Sequence, residues 1–443
     1  MQEFKRAQLD KKVQKIEEIM ALLPNMQDPQ TEFVLMRACL GLPKIGYLLR
    51  CVDTSAFGPI LRQFDLLLLK SLNRILGTGL TNLQWCQAQL PVSMGGMGLR
   101  SAADHASVAY SSSVLSTLTL SRAMQKRLEA ALWEPNTPGP ISDQVLTTLA
   151  AKTGEAVTIE GLWGLPQKQL SLKVDLCKSA AFKDQIEQQG DEREKARVAS
   201  LGLPRAGAWL TTPPIPALGL HMTPLEFIMA AKYRLGCHIY EEAGPCPACL
   251  RHSDRFGDHA LSCGHWGERI SRHNAIRDHI HGLAVKAVLN PSKEGRFILP
   301  GADRRPADVM VPSWAQGCDA AYDITVINPL QEATVAQAAN YDNPGHALNV
   351  AWDRKMRGSA EDCDRVGVQF IPLAFESLGG WHKEAEKEVK KLAVAMARQS
   401  GKAESECCNQ ATTRLSLLLM RGNASILINR IPAPADAVTT WDE

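Results

Sequence analysis

Cys246, Cys249, His259 and Cys263 fall within eighteen residues, spaced C-x2-C-x9-H-x3-C. Zinc takes four thiolate or imidazole ligands in a tetrahedron, and two short-spaced pairs can supply them from adjacent turns. Pro245 and Pro247 around the first pair, and Gly257 before the second, suit the sharp turns such a site requires. The pattern predicts one structural Zn2+ with all four positions filled by protein. The alternative is three reduced cysteines beside an unrelated histidine.

A second constellation follows. Asp308 and Asp323 have fourteen residues between them, each in or beside a short apolar strand candidate, Val309–Val311 and Ala320–Ile327. Two strands joined by a turn at Trp314 and Gly317 can set both carboxylates side by side at a sheet edge. Carboxylates so placed are hard oxygen ligands for Mg2+ or Mn2+. Such an ion acidifies bound water, orients it for in-line attack and stabilises charge on phosphoryl oxygens. A nearby Lys would complete the site by neutralising phosphate. Asp323 sits within an apolar run, where a buried carboxylate needs a reason. Arg304 and Arg305 beside Asp308 suit a phosphate partner.

Composition constrains the rest. The 443 residues carry a formal net charge of +2, which does not announce a nucleic-acid binder. From Cys246 to Asp308 there are ten Arg or Lys against seven Asp or Glu, a local excess compatible with phosphate contacts. Met1 is followed by Gln2-Glu3-Phe4-Lys5-Arg6, without an apolar signal core, and no apolar run approaches a membrane-spanning length. The cysteines outside the cluster, such as Cys39, Cys86 and Cys237, then read as reduced thiols, and the expected location is intracellular, nucleus or cytoplasm.

The predicted elements give an α plus α/β class: a helical N-terminal half, a small zinc-binding module and a compact mixed-sheet domain. Apolar residues recur at helical spacing in Lys11–Leu23 and in Pro59–Leu76, and Asp28-Pro29 reads as an N-cap followed by proline. Gly41-Leu42-Pro43 and the glycine-rich 95–98 stretch break helices. Residues 134–142 read as a linker, the charge run Asp184–Arg197 as a solvated helix, and 204–220 as a domain connection. Helix 270–288 precedes strand candidates at 309–311, 320–327 and 370–373, with helices between the last two. The expected boundaries are 1–203, 204–265, 266–400 and a C-terminal helical tail, 401–443.

Taken together, Cys246, Cys249, His259 and Cys263, Arg272-His273-Asn274, Arg305-Pro306-Ala307-Asp308 and Asp323 resemble the C-terminal region of site-specific non-LTR retrotransposon polyproteins. Phe370–Leu373 and Glu376-Ser377-Leu378-Gly379-Gly380 are similar to that family's closing nuclease strand and turn. Upstream, Gly41–Ile45, Trp85, Leu90-Pro91 and Gly95–Leu99 resemble the thumb-like helices that follow a reverse-transcriptase palm. The resemblance implies a zinc knuckle ahead of a restriction-like PD-(D/E)xK endonuclease, with Asp308 and Asp323 holding the catalytic Mg2+ or Mn2+. Ala307 departs from the motif, and Thr325 stands two after Asp323 where a lysine is expected. In this group the lysine can come from the next helix, which makes Lys355 the candidate. No paired-aspartate polymerase motif occurs upstream, so polymerisation is not expected. The implied partners are DNA and element RNA, with Arg269, Arg272, Arg277 and Arg305 as phosphate contacts. A catalytically inactive nucleic-acid-binding remnant is the competing expectation.

Overall fold

A computed structural model describes residues 2–53, 57–129, 141, 143–162, 164–295, 307–315, 317–341 and 343–431. The chain forms two compact units, Met1–Pro91 with Gly96–Gln185, and Val92–Gly95 with Ile186–Glu443. The linker expected at 134–142 lies almost entirely outside the described residues, as do Arg304 and Arg305.

The first unit is helical: α1 (Gln2–Leu22), α2 (Pro29–Leu35), α3 (Leu42–Cys51), α4 (Gly58–Leu76), α5 (Asn82–Gln89), α6 (Ala102–Glu129), α7 (Asp143–Thr153), α8 (Ile159–Leu162) and most of α9 (Gln167–Gln189). Local chemistry accounts for the starts and stops. The Asp28 side chain accepts from the backbone N–H groups of Gln30 and Thr31, with Pro29 in the first turn. Leu61, Phe64, Leu68, Leu72 and Ile75 form the buried stripe of α4. Asp65, beside that stripe, accepts from Ser101 Oγ at 2.6 Å and from Ala102 N at 2.7 Å, capping α6 from another helix. At the glycine-rich turn, a Cβ on Gly96 would lie 2.0 Å from the Leu90 carbonyl oxygen, so only glycine fits.

The second unit runs α10 (Glu192–Leu201), α11 (Pro224–Arg234), β1 (Gly244–Pro245), β2 (His252–Ser253), α12 (Asp258–Ser262), α13 (Glu268–Lys286), β3 (Ser292–Gly295), β4 (Ala307–Ala315), β5 (Cys318–Ile327), α14 (Val335–Ala338), α15 (His346–Asp364), β6 (Val368–Glu376), α16 (Lys383–Ser400) and α17 (Glu404–Asn429). Four strands form one sheet in the order β3-β4-β5-β6. The first two pairings are antiparallel, and β6 joins β5 in parallel after the α14–α15 crossover.

Three expectations are corrected. The boundary falls at Gln185/Ile186, inside α9, and not at residue 203. The zinc module and the C-terminal segment are also not separate pieces. Leu201 of α10, Tyr233 of α11, Leu261 of α12 and Leu427 of α17 share one apolar cluster, because each is too short or too one-sided to bury its own stripe. Helix α17 also supplies Leu415 and Leu419 to the main core under the sheet. It is a core helix and not a tail. The charge run at 184–197 is likewise not simply solvated. Gly190 and Asp191 divide it between α9 and α10, and the buried Arg197 donates to the Arg234 carbonyl and pairs with Glu194.

Candidate functional site

Alternation along the strands aims the carboxylates. In β5, Ala320, Tyr322 and Ile324 enter the core shared with α13, α16 and α17, while Ala321 packs with Met356, Ala360 and Cys363 of α15. Asp323, two residues after Ala321, therefore emerges on the α15 side. The β4–β5 register pairs Val309 with Tyr322 and Met310 with Ala321. One step further, the same register sets Asp308 across from Asp323, on the same face of the sheet.

Both carboxylates are held by cationic or N–H donors. Lys355 of α15 places Nζ 2.9 Å from Asp323 Oδ2 and 3.2 Å from Oδ1. Asp308 Oδ2 accepts from the Ile324 backbone N–H at 2.6 Å, and Oδ1 lies 3.1 Å from His273 Nε2 of α13. Burial pushes the Asp323 pKa up; Lys355 opposes this, and the Asp308 charge reinforces it. The Asp308 side chain is 21% exposed and that of Asp323 14%, with Asp323 Oδ2 itself buried. In the sequence His273 enters only through the Arg272-His273-Asn274 motif of the resemblance, with no role assigned; its approach to Asp308 comes from the packing of α13 on the sheet.

The cysteine–histidine cluster is built by short turns. Strands β1 and β2 pair Gly244 with Ser253 and Pro245 with His252, bringing the chain back after Cys246 and Cys249. Asp254 accepts from the N–H groups of Phe256, Asp258 and His259, fixing the first turn of α12. Cys263 N–H donates to the His259 carbonyl at 2.8 Å. The four ligand atoms all lie within 4.8 Å of one another, and Cys249 Sγ is 3.2 Å from His259 Nε2. A zinc–thiolate tetrahedron has edges of about 4 Å, given Zn–S of roughly 2.3 Å. The cluster is therefore able to hold a metal ion such as zinc. Burial raises the Cys249 thiol, but N–H donors at Arg251 and the neighbouring thiols outweigh it and bring the pKa down to about 6.

The basic residues diverge. Arg272 is buried, and its Nη1 donates to Asn423 Oδ1 of α17 at 2.6 Å. Its guanidinium fills helix packing and is not on the surface, which corrects the expected phosphate contact; burial lowers its pKa to about 9. Arg272 lies four residues before Ile276 and eight before Ile280, so the helical period already places it on the buried stripe. Arg277 pairs with Asp278 and Glu294, and Arg269 donates to the Ser262 carbonyl. Arg305 lies outside the described residues.

No protein-family model matches the chain, and no characterised protein matches it in sequence. Among the described residues, no helix is long and apolar enough to cross a membrane.

Proposed function

We propose that the second unit is a metal-dependent DNA endonuclease derived from a non-LTR retroelement, with a structural zinc knuckle ahead of it. The carrying observation is that Asp308 of β4 faces Asp323 of β5 across the ladder while Lys355 of α15 pairs with Asp323. The second unit's mixed four-stranded sheet, flanked by α13 and the crossover helix α15, supports the same reading as the compact mixed-sheet domain the sequence pattern predicts.

In this reading Asp308 and Asp323 hold Mg2+ or Mn2+. Asp323, whose ionisation is disfavoured by burial and by the neighbouring Asp308 charge, suits a divalent cation, which relieves that cost. When bound, the cation supplies acidified water and charge stabilisation for phosphodiester hydrolysis. Lys355 orients Asp323 and presents its ammonium to the scissile phosphate. His273 and the Ile324 N–H fix the rotamer of Asp308. Cys246, Cys249, His259 and Cys263 hold zinc with no open position, a structural and not a catalytic ion. Incubation with supercoiled plasmid tests the reading: nicking in Mg2+ or Mn2+ that stops in EDTA supports it.

A second reading, a nucleic-acid-binding remnant without catalysis, is favoured by one observation. The oxygens of Asp308 and Asp323 already have protein partners in Ile324, His273 and Lys355. Salt-dependent DNA binding without any metal-dependent cleavage would select it.

A further inference from the structure

We propose that Arg430 is the counter-ion of the metal cluster and that it makes metal binding and the seating of α17 depend on each other; this rests on the zinc reading above. Three thiolates and a neutral imidazole around Zn2+ carry a net charge of minus one. Cys246 and Cys263 are buried, at 0% and 1% exposure, where an uncompensated charge is costly.

Arg430, just after the last turn of α17, meets that need from 167 residues away in sequence. Its side chain is 0% exposed. Nη1 lies 3.0 Å from Cys263 Sγ and 3.9 Å from Cys246 Sγ. Nη2 donates to the His265 carbonyl and, at 2.6 Å, to Glu268 Oε2. The guanidinium also lies over the Trp266 ring, 5.0 Å from its centroid.

A planar fork bonded on one edge to sulfur and on the other to a carboxylate and a carbonyl is positioned, not merely packed. Glu268 orients the guanidinium while sharing its own charge with water, at 17% side-chain exposure. Donors to metal-bound thiolates reduce their charge density and hold their direction, and removing such outer partners typically weakens metal binding about 10- to 100-fold. Because α17 also contributes Leu415 and Leu419 to the core under the sheet, the metal is tied through Arg430 to the packing of the whole unit.

The test uses the full chain, with zinc affinity measured by competition against a chromophoric chelator and thermal melts run with and without zinc. Arg430→Met should weaken zinc binding about 10- to 100-fold. It should also lower the melting temperature more in zinc-loaded protein than in chelated protein, whereas a residue that only packs α17 would lower both equally. Glu268→Gln, which leaves the cluster and the guanidinium in place, should weaken zinc by a smaller factor and keeps the test open if Arg430→Met does not fold. Unchanged zinc affinity in Glu268→Gln and Arg430→Met, or equal loss of melting temperature in both states, would overturn the role of Arg430 while leaving the zinc site intact. A parent protein that binds no zinc would overturn both.

Discussion

Lys355 Nζ, from the crossover helix, lies 2.9 Å from Asp323 Oδ2 on the adjacent strand. The ammonium offsets part of the burial cost of that carboxylate and stands where a phosphate bound at the same point would meet it. Lys355→Met should therefore lower the single-turnover cleavage rate by about 100-fold or more, the loss typical of one electrostatic group at a reacting centre. DNA affinity should change far less, because a single phosphate contact is a small part of the total. A filter-binding titration beside the rate measurement separates the two; equal losses in both would make Lys355 a binding residue only.

Arg272→Ala should destabilise the second unit and leave DNA binding with its salt dependence unchanged. The buried guanidinium donates to Asn423 and the methylene stem packs against Gly422, so truncation leaves both a cavity and an unpaired amide oxygen. The expected cost is about 2–4 kcal/mol. Urea unfolding measures the first effect and a salt titration of DNA affinity the second; a shallower salt slope in the variant would restore Arg272 to the phosphate-binding set.

Gly96→Ala should destabilise the first unit by roughly 3 kcal/mol or more, since the new methyl meets the Leu90 carbonyl oxygen at 2.0 Å and neither backbone can yield cheaply. Gly77→Ala is a milder control: its φ is +63°, but nothing lies within 4 Å of its Cβ. If the two variants melt alike, the close approach at Gly96 is not what requires glycine.

Burial holds the Glu376 pKa up at about 8 from an ordinary 4.5, with the Ser200 hydroxyl pulling the other way. The folded state thus keeps a proton that the unfolded chain gives up, so this contribution to stability is full below pH 4.5 and declines as pH rises to about 8. Each unit corresponds to ~1.4 kcal/mol, so the decline amounts to a few kcal/mol. Glu376→Gln should remove that decline, and its stability advantage over the parent should grow between pH 5 and pH 8 in chemical denaturation. A constant difference across that range would contradict the assignment.

Much of the fold is legible in the residue pattern, and the exceptions share a cause. Helix α4 follows from its apolar period, α2 from Asp28-Pro29, and the facing of Asp308 and Asp323 from strand alternation, all local or one-hairpin properties. Strand β3 is polar and exposed where described, so its apolar content gave no signal; only pairing to β4 makes it a strand. Asn423 and Arg430 act on partners more than 150 residues away, and no spacing encodes that. The domain limits are missed for a similar reason: α10, α12 and α17 each present one apolar face, but only tertiary packing reveals that the faces meet.

The most direct measurement is the rate of supercoiled-plasmid nicking by the parent and by Asp323→Asn, in Mg2+, in Mn2+ and in EDTA. Asp323→Asn keeps the size and shape of the side chain but turns one acceptor oxygen into a donor amide and removes the charge that would hold the cation and that pairs with Lys355. The account predicts cation-dependent nicking by the parent and a loss of at least about 100-fold in the variant, with DNA binding and folding retained. A parent that binds DNA but never nicks it, or an Asp323→Asn variant that nicks at the parental rate, would contradict it.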